Sequence, residues 1–123
     1  MVLKYILVIN LNFFMSVVQT NQGTFQNDVL DHKGLVFVDF YADWCGPCKV
    51  TSPLIEELAT SGAYKDKIKF VEIDVDENQE LAGKYNVFSI PTFIIFKDGE
   101  PVNQFVGARD KTGFEDELKK VLV

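Results

Sequence analysis

Trp44-Cys45-Gly46-Pro47-Cys48 contains the only two cysteines of this 123-residue chain, three positions apart. The apolar run Leu35 to Phe40 precedes this pentapeptide, and the stretch Lys49 to Ala59, which is typical of a helix, follows it. The order strand, turn, cysteines, helix places Cys45 at a helix N-terminus, where unpaired amides and the helix dipole favour a thiolate. A disulfide between cysteines so close together can open and close locally, which suits thiol-disulfide chemistry.

The two cysteines differ in their expected position along this helix. Cys48 lies one turn further in, on the same face and closer to the core, so we expect it to be less exposed and less acidic than Cys45. Cys45 would attack a substrate disulfide, and Cys48 would then attack Cys45 and release the reduced substrate. Pro47 suits the first helical turn because its missing N–H costs nothing there.

Two other interpretations of this cysteine pair stay open. A zinc site needs two further ligands, and the chain offers one histidine, His32, and no third cysteine, so carboxylates would have to complete it. A structural disulfide is the other interpretation, although a bridge over so short a loop constrains little of the unfolded chain. Both are less favoured than a redox centre.

The composition indicates one compact domain. Hydrophobic residues make up 47% of the chain and include 11 Phe, which can fill a core, and 123 residues leave no room for a second domain. The formal net charge is -6, and no cluster of Lys and Arg offsets it. This balance argues against nucleic acid as a partner.

Hydrophobic and turn patterns predict the other elements of the first two thirds of the chain. Ser16 to Gln19 predicts a short edge strand, and Phe25 to Leu30 predicts a short helix. Leu35 to Phe40 is continuously apolar apart from Asp39, as expected of a central parallel strand covered on both faces, and Ile68 to Val75 predicts a second such strand. Asn78 or a neighbour begins a helix of about two turns that ends near Tyr85.

The last third of the chain predicts a hairpin and a closing helix. Asp98-Gly99 marks a tight turn between the antiparallel strands Thr92 to Phe96 and Val102 to Val106. Thr112 to Glu115 has the spacing of a capping box at the start of a helix. The apolar stripe of that helix consists of Phe114, Leu118, Val121 and Leu122.

The segment Val38 to Lys49 resembles the active-site segment of the thioredoxin family. The likeness covers about Ser16 to the C-terminus without a large insertion. It implies an α/β thioredoxin fold, in which a mixed five-stranded sheet of order 1-3-2-4-5 is flanked by about four helices, and a domain spanning residues 15–123. The other matching segments are Pro53, Val71 to Asn78, Ser89 to Thr92 with the family's cis-proline, Phe93 to Gly99, and Val106 to Ala108.

The resemblance also implies the roles of individual residues. It places Asp39, the one charged residue of its apolar strand, under the disulfide as the proton acceptor for Cys48, and burial should raise the pKa of this carboxyl. It implies a cis bond before Pro91 and a backbone at Ile90 that pairs with an extended client strand. The implied client-docking surface consists of Trp44, Gly46, Pro47, Ile90, Pro91, Gly107 and Ala108.

Two residues depart from the pattern of the family. Tyr41 stands where many members have tryptophan, which keeps an aromatic ring. Glu72 stands where many members have a lysine near the buried aspartate. A like charge could therefore replace the usual opposite charge beside Asp39, and the two carboxyls would then titrate as a coupled pair.

The function implied by the resemblance is that of a general protein-disulfide reductase, an electron carrier that has no bound cofactor or metal. It would act as a reductant in electron transport and cell redox homeostasis, as a monomer. Its partners would be disulfide-containing client proteins and an NADPH-dependent thioredoxin reductase. Two other functions stay open: an exported or membrane-tethered reductase with a dedicated partner, and a binding or clamp subunit in which redox chemistry is incidental.

Residues 1–14 lie outside the resemblance and have a basic start followed by an apolar run. Asn10 and Asn12 interrupt this run, and no small-residue cleavage site follows it, which argues against a secretory signal. The run is also shorter than the ~20 apolar residues that cross a bilayer, so no stable membrane insertion is expected. We expect a mis-assigned start before Met15, an anchor or a weak signal, with a cytoplasmic location first and export or tethering second.

Overall fold

The computed structural model describes residues 16–122, so the expectations for residues 1–14 lie outside the described part of the chain. Residues 16–122 form five strands and four helices. No helix within this range is both long enough and apolar enough to cross a membrane. The strands are β1 (Val17–Gln19), β2 (Leu35–Tyr41), β3 (Ile68–Asp74), β4 (Thr92–Lys97) and β5 (Glu100–Val106). The helices are α1 (Gln26–Leu30), α2 (Gly46–Thr60), α3 (Gln79–Lys84) and α4 (Lys111–Leu122).

The strands form one mixed sheet in the order β1-β3-β2-β4-β5, which confirms the predicted topology. β1, β3 and β2 run parallel, and β4 runs antiparallel to both β2 and β5. β2 is therefore a central strand, as its apolar sequence predicted. Its C-terminal end leads directly into the turn that carries Cys45.

Helices cover both faces of the sheet, and alternate residues of β2 show which helices lie on which face. Leu35 and Phe37 pack with residues of α2 and α4. Val36, Val38 and Phe40 pack with residues of α1 and α3. By the same alternation Asp39 shares the face of Leu35 and Phe37, so it lies beneath α2 and its cysteines.

The hairpin between β4 and β5 has the predicted two-residue turn. Asp98 and Gly99 both have positive φ, 51° and 83°, which is the conformation that favours an Asp-Gly sequence. The Asp98 side chain accepts a hydrogen bond from the Gly34 backbone N–H at 2.7 Å, and the Asp98 backbone N–H donates to the Gly34 carbonyl at 3.0 Å. These bonds fix the turn to the start of β2.

Two helices differ in detail from their predicted form. The predicted helix at Phe25 to Leu30 is a π-helical turn, in which the Asp31 N–H donates to the Gln26 carbonyl five residues earlier. The predicted capping box at Thr112 is wrong, because α4 already begins at Lys111. Asp110 caps the helix instead, since its Oδ1 accepts the Gly113 N–H at 2.8 Å.

Candidate active site

The cysteine pair lies at the N-terminus of α2, as the sequence predicted. Cys45 is the residue immediately before the helix, has an extended backbone (φ -81°, ψ 109°), and is joined to Cys48 in a disulfide. Its Sγ accepts a hydrogen bond from the Cys48 backbone N–H at 3.2 Å. Pro47 lies in the first turn, where it breaks no helical hydrogen bond. The start of α2 therefore directs an amide at the sulfur of Cys45.

The expected difference in exposure between the two cysteines is not found. Cys45 is 3% exposed and Cys48 is 5% exposed in the disulfide form, so the prediction that Cys48 would be the less exposed is wrong for this state. Cys48 lines a pocket between α2 and the sheet together with Asp39. Both sulfurs are thus largely covered by protein.

Trp44 lies over the turn and is tied to the exit of β3. Its side chain is 69% exposed, yet its Nε1–H donates to Asp76 Oδ2 at 2.7 Å. Asp76 is positioned in turn by its backbone N–H, which donates to Asp74 Oδ1 at 2.8 Å. The sequence analysis did not identify Asp76, because nothing in the local pattern links residues 32 positions apart.

The Ile90-Pro91 peptide bond is cis, as the resemblance implied. Ile90 packs against the cluster formed by Ala42, Cys45 and Cys48, so this segment lies beside the disulfide. The Pro91 carbonyl accepts the Gly107 N–H at 2.9 Å. This bond brings the segment after β5 next to the segment before β4.

The implied docking residues come from three segments, and they differ in exposure. Trp44, Gly46, Pro47 and Ala108 are exposed, and Ile90 and Gly107 are half-buried. Pro91 is buried, so it forms the floor of this surface and not part of its exposed face. Phe88, two residues before Ile90, is 85% exposed, and the sequence analysis missed it because a lone phenylalanine in a loop carries no pattern.

Asp39 is the buried titratable group of the site. It is 3% exposed, and among the described residues its Oδ1 has no hydrogen-bond partner. Burial, followed by the negative charge of Glu72, raises the pKa of Asp39 to about 7. The predicted upward shift of this pKa is confirmed.

A pocket of about 300 Å³ connects Asp39 with solvent. Its lining includes Cys48 and Ser52 from α2, Asp39 from β2 and Glu72 from β3. Glu72 is half-buried and occupies the β3 position paired with Asp39. Burial and then the charge of Glu56 raise the pKa of Glu72. The like-charged neighbour inferred from the sequence is therefore present beside Asp39.

The metal alternative for the cysteines gains no support from the described residues. Within residues 16–122, no group of three or more His, Cys, Asp or Glu side chains has an arrangement that could hold a metal ion. His32, the one histidine of the chain, lies between α1 and β2 at the other end of the central strand from the cysteines.

Comparisons with known proteins agree with this geometry. The family model named Thioredoxin matches residues 16–120. Proteins named Thioredoxin from Staphylococcus epidermidis and Bacillus subtilis are each 45% identical to this chain over 108 residues, and one from Staphylococcus aureus is 44% identical over the same length. Each alignment covers 88% of this chain and 100% of the relative.

Proposed function

Since this chain belongs to the thioredoxin family and is a protein thiol-disulfide oxidoreductase, we propose that Cys45 attacks client disulfides and that Cys48 resolves the resulting mixed disulfide. The observation that carries this assignment is the hydrogen bond from the Cys48 N–H to Cys45 Sγ at the start of α2. An amide that points at a sulfur stabilises its thiolate, which is the attacking form.

The reaction balances in two exchanges. The Cys45 thiolate forms a bond to one sulfur of the client disulfide, and the other client sulfur leaves as a thiolate with the electron pair. Cys48 then loses its proton and forms a bond to Cys45 Sγ, and the second client sulfur leaves as a thiolate. The client gains two electrons, and the protein is left with the Cys45-Cys48 disulfide.

Asp39 is the proposed acceptor of the Cys48 proton. It lines the same pocket as Cys48, and its buried Oδ1 is free of hydrogen bonds within residues 16–122. A pKa of about 7 leaves much of this group ionised at neutral pH, yet it remains basic enough to take a proton from a thiol. The pocket is polar and large enough to hold water between the two groups.

Client proteins would dock on the surface around the disulfide. The backbone at Ile90 would pair with an extended client strand, and Trp44, Gly46, Pro47, Gly107 and Ala108 would contact its side chains. The packing of Ile90 on the cysteine cluster supports this role, since Ile90 lies beside Cys45. Buried Pro91 would support that backbone from below.

The partners are disulfide-containing client proteins and a thioredoxin reductase. We propose that this reductase depends on NADPH, and that the protein works as a monomer in the cytoplasm, in electron transport and cell redox homeostasis. Residues 15–123 would be the redox domain and residues 1–14 an extension. Neither open alternative, an exported reductase with a dedicated partner or a clamp subunit, is favoured by a feature of the described residues.

Trapping of clients tests the assignment of the cysteines. Cys48→Ser should accumulate mixed disulfides with client proteins, because it keeps the attacking thiolate and lacks the resolver. Cys45→Ser should trap nothing and reduce nothing, and the double serine variant serves as the control for non-covalent binding. Capture by Cys45→Ser in place of Cys48→Ser would reverse the assignment.

A further inference from the structure

Asp39 and Glu72 face each other across two parallel strands. They are direct partners in the register of β2 and β3, and paired positions on neighbouring strands point to the same face of the sheet. That face lies beneath α2, so both carboxyls project toward the helix that carries Cys48. Asp39 is the inner member of the pair and Glu72, which is half-buried, is the outer one.

The pocket makes this pair a connected unit. Asp39, Glu72 and Cys48 line the same space of about 300 Å³, which accommodates several water molecules. Asp39 Oδ1 is buried and has no hydrogen-bond partner within the described chain, although buried carboxylate oxygens normally have one. Glu72 lines this pocket and is more accessible to solvent than Asp39, so the pocket offers a route past Glu72 by which a proton can leave Asp39.

Among the charged groups around the pocket, Glu72 is the one whose charge raises the pKa of Asp39. The other titratable groups that line it are Tyr41 from β2, Asp43 from the turn, and Lys49 from α2, which is exposed. The negative charge of Glu56 on α2 raises the pKa of Glu72, whereas the causes of the raised pKa of Asp39 are burial and the charge of Glu72. Neither Asp39 nor Glu72 forms an ion pair within residues 16–122.

We propose that Glu72 is a positioning residue of the resolution step and acts through Asp39. Its carboxylate keeps Asp39 basic enough to take the proton of Cys48, and it lines the pocket through which that proton then reaches solvent. This inference rests on the proposed role of Asp39. The Cys48 proton passes to Asp39, directly or through water, while the sulfur forms its bond to Cys45. The client thiolate leaves with the electron pair, and Asp39 then releases its proton past Glu72.

The test is the pH profile of resolution, measured with the reduced protein and a saturating disulfide peptide that lacks tryptophan. Trp44, the only tryptophan of the chain, reports formation of the Cys45-Cys48 disulfide by stopped-flow fluorescence. Glu72→Gln should move the acid limb of the profile down by about one pH unit, because removal of a like charge lowers the proton affinity of Asp39. It should also lower the alkaline plateau about three-fold, because a weaker base accepts the proton less readily.

Three further variants test whether the effect comes from the charge at residue 72. Glu72→Asp keeps the charge and should retain most of the wild-type profile, whereas Glu72→Lys should move the acid limb further down. Glu80→Gln, the same change at an exposed site on α3, should leave the profile as it is. A Glu72→Gln profile that keeps the wild-type midpoint or the wild-type plateau overturns the proposal.

A separate readout distinguishes this proposal from the role of Asp39 on which it rests. Asp39→Asn should slow resolution and remove the acid limb. If Asp39→Asn changes resolution and Glu72→Gln does not, only the role of Glu72 fails. If Asp39→Asn leaves resolution unchanged, both roles fail. NMR titration of the Asp39 carboxyl in the oxidised protein should show a lower midpoint in Glu72→Gln, and an unchanged midpoint overturns the proposal without reference to catalysis.

Discussion

Replacement of Asp39 by asparagine removes a carboxyl that the fold holds in an unfavourable environment. The pKa of Asp39 is about 7 in the folded protein, whereas an aspartate of the unfolded chain ionises near pH 3.9. Between these values the folded state keeps a proton that the unfolded chain has lost. The contribution of this group to stability is therefore complete below about pH 4 and is lost as the pH rises through 7.

The size of this loss of stability follows from the pH range between the two pKa values. Stability falls by about 1.4 kcal/mol for each pH unit over which only the folded state holds the proton. Between pH 5 and pH 8.5 this condition applies up to about pH 7, so wild type should lose roughly 3 kcal/mol from this group. Asparagine does not titrate, so the stability of Asp39→Asn relative to wild type should rise by the same amount.

Urea unfolding of the two oxidised proteins at pH 5 and pH 8.5 measures this difference. Asp116→Asn, the same change at an exposed site on α4, is the control for removal of a surface carboxyl. A difference between Asp39→Asn and wild type that does not change between the two pH values would refute the raised pKa. It would also remove the basis for Asp39 as a proton acceptor near neutrality.

Two further predictions concern the N-terminal segment and the turn of the hairpin. A chain that starts at Met15 should melt and reduce disulfides like the full chain, and a lower melting temperature would show that residues 1–14 pack on the domain. Gly99→Ala should lower stability by about 1 to 3 kcal/mol in thermal unfolding, since its φ is +83° and an added Cβ would meet the Leu30 carbonyl oxygen at 2.5 Å. Gly34→Ala is its control, because Gly34 also has positive φ but an added Cβ would have open space; an equal loss in both variants would contradict the clash.

Much of the fold could be predicted because its signals are local. The apolar run of β2, the strand pattern of β3 and the Asp98-Gly99 turn depend on neighbouring residues alone. Each lies where the sequence predicted it. The order strand, turn, helix was sufficient to put Cys45 at the start of α2. The burial of Asp39 also followed from its own strand, since a single charge within a central strand has little access to water.

The features that sequence analysis missed depend on contacts between distant segments. The bond from Trp44 to Asp76 joins two loops, and neither loop carries a pattern for it. The pocket that Cys48 lines between α2 and β3 is formed by three segments of the chain, which no local spacing describes. The cap of α4 was misplaced for another reason: Asp110 and Thr112 are both good capping residues, and only the position where the helix begins distinguishes them.

The parallel pairing of β1 with β3 determines at which end of the sheet Ser16 lies. β1 runs in the same direction as β2, so Ser16 lies at the end of the sheet opposite the turn with Cys45. Its backbone N–H donates to Glu56 Oε1 at 3.1 Å, and Glu56 lies about 16 Å along α2 from Cys45 at the usual rise per residue. A solid support attached ahead of Ser16 would therefore lie far from the disulfide, and attachment at that end should slow the reduction of bulky substrates no more than that of small ones.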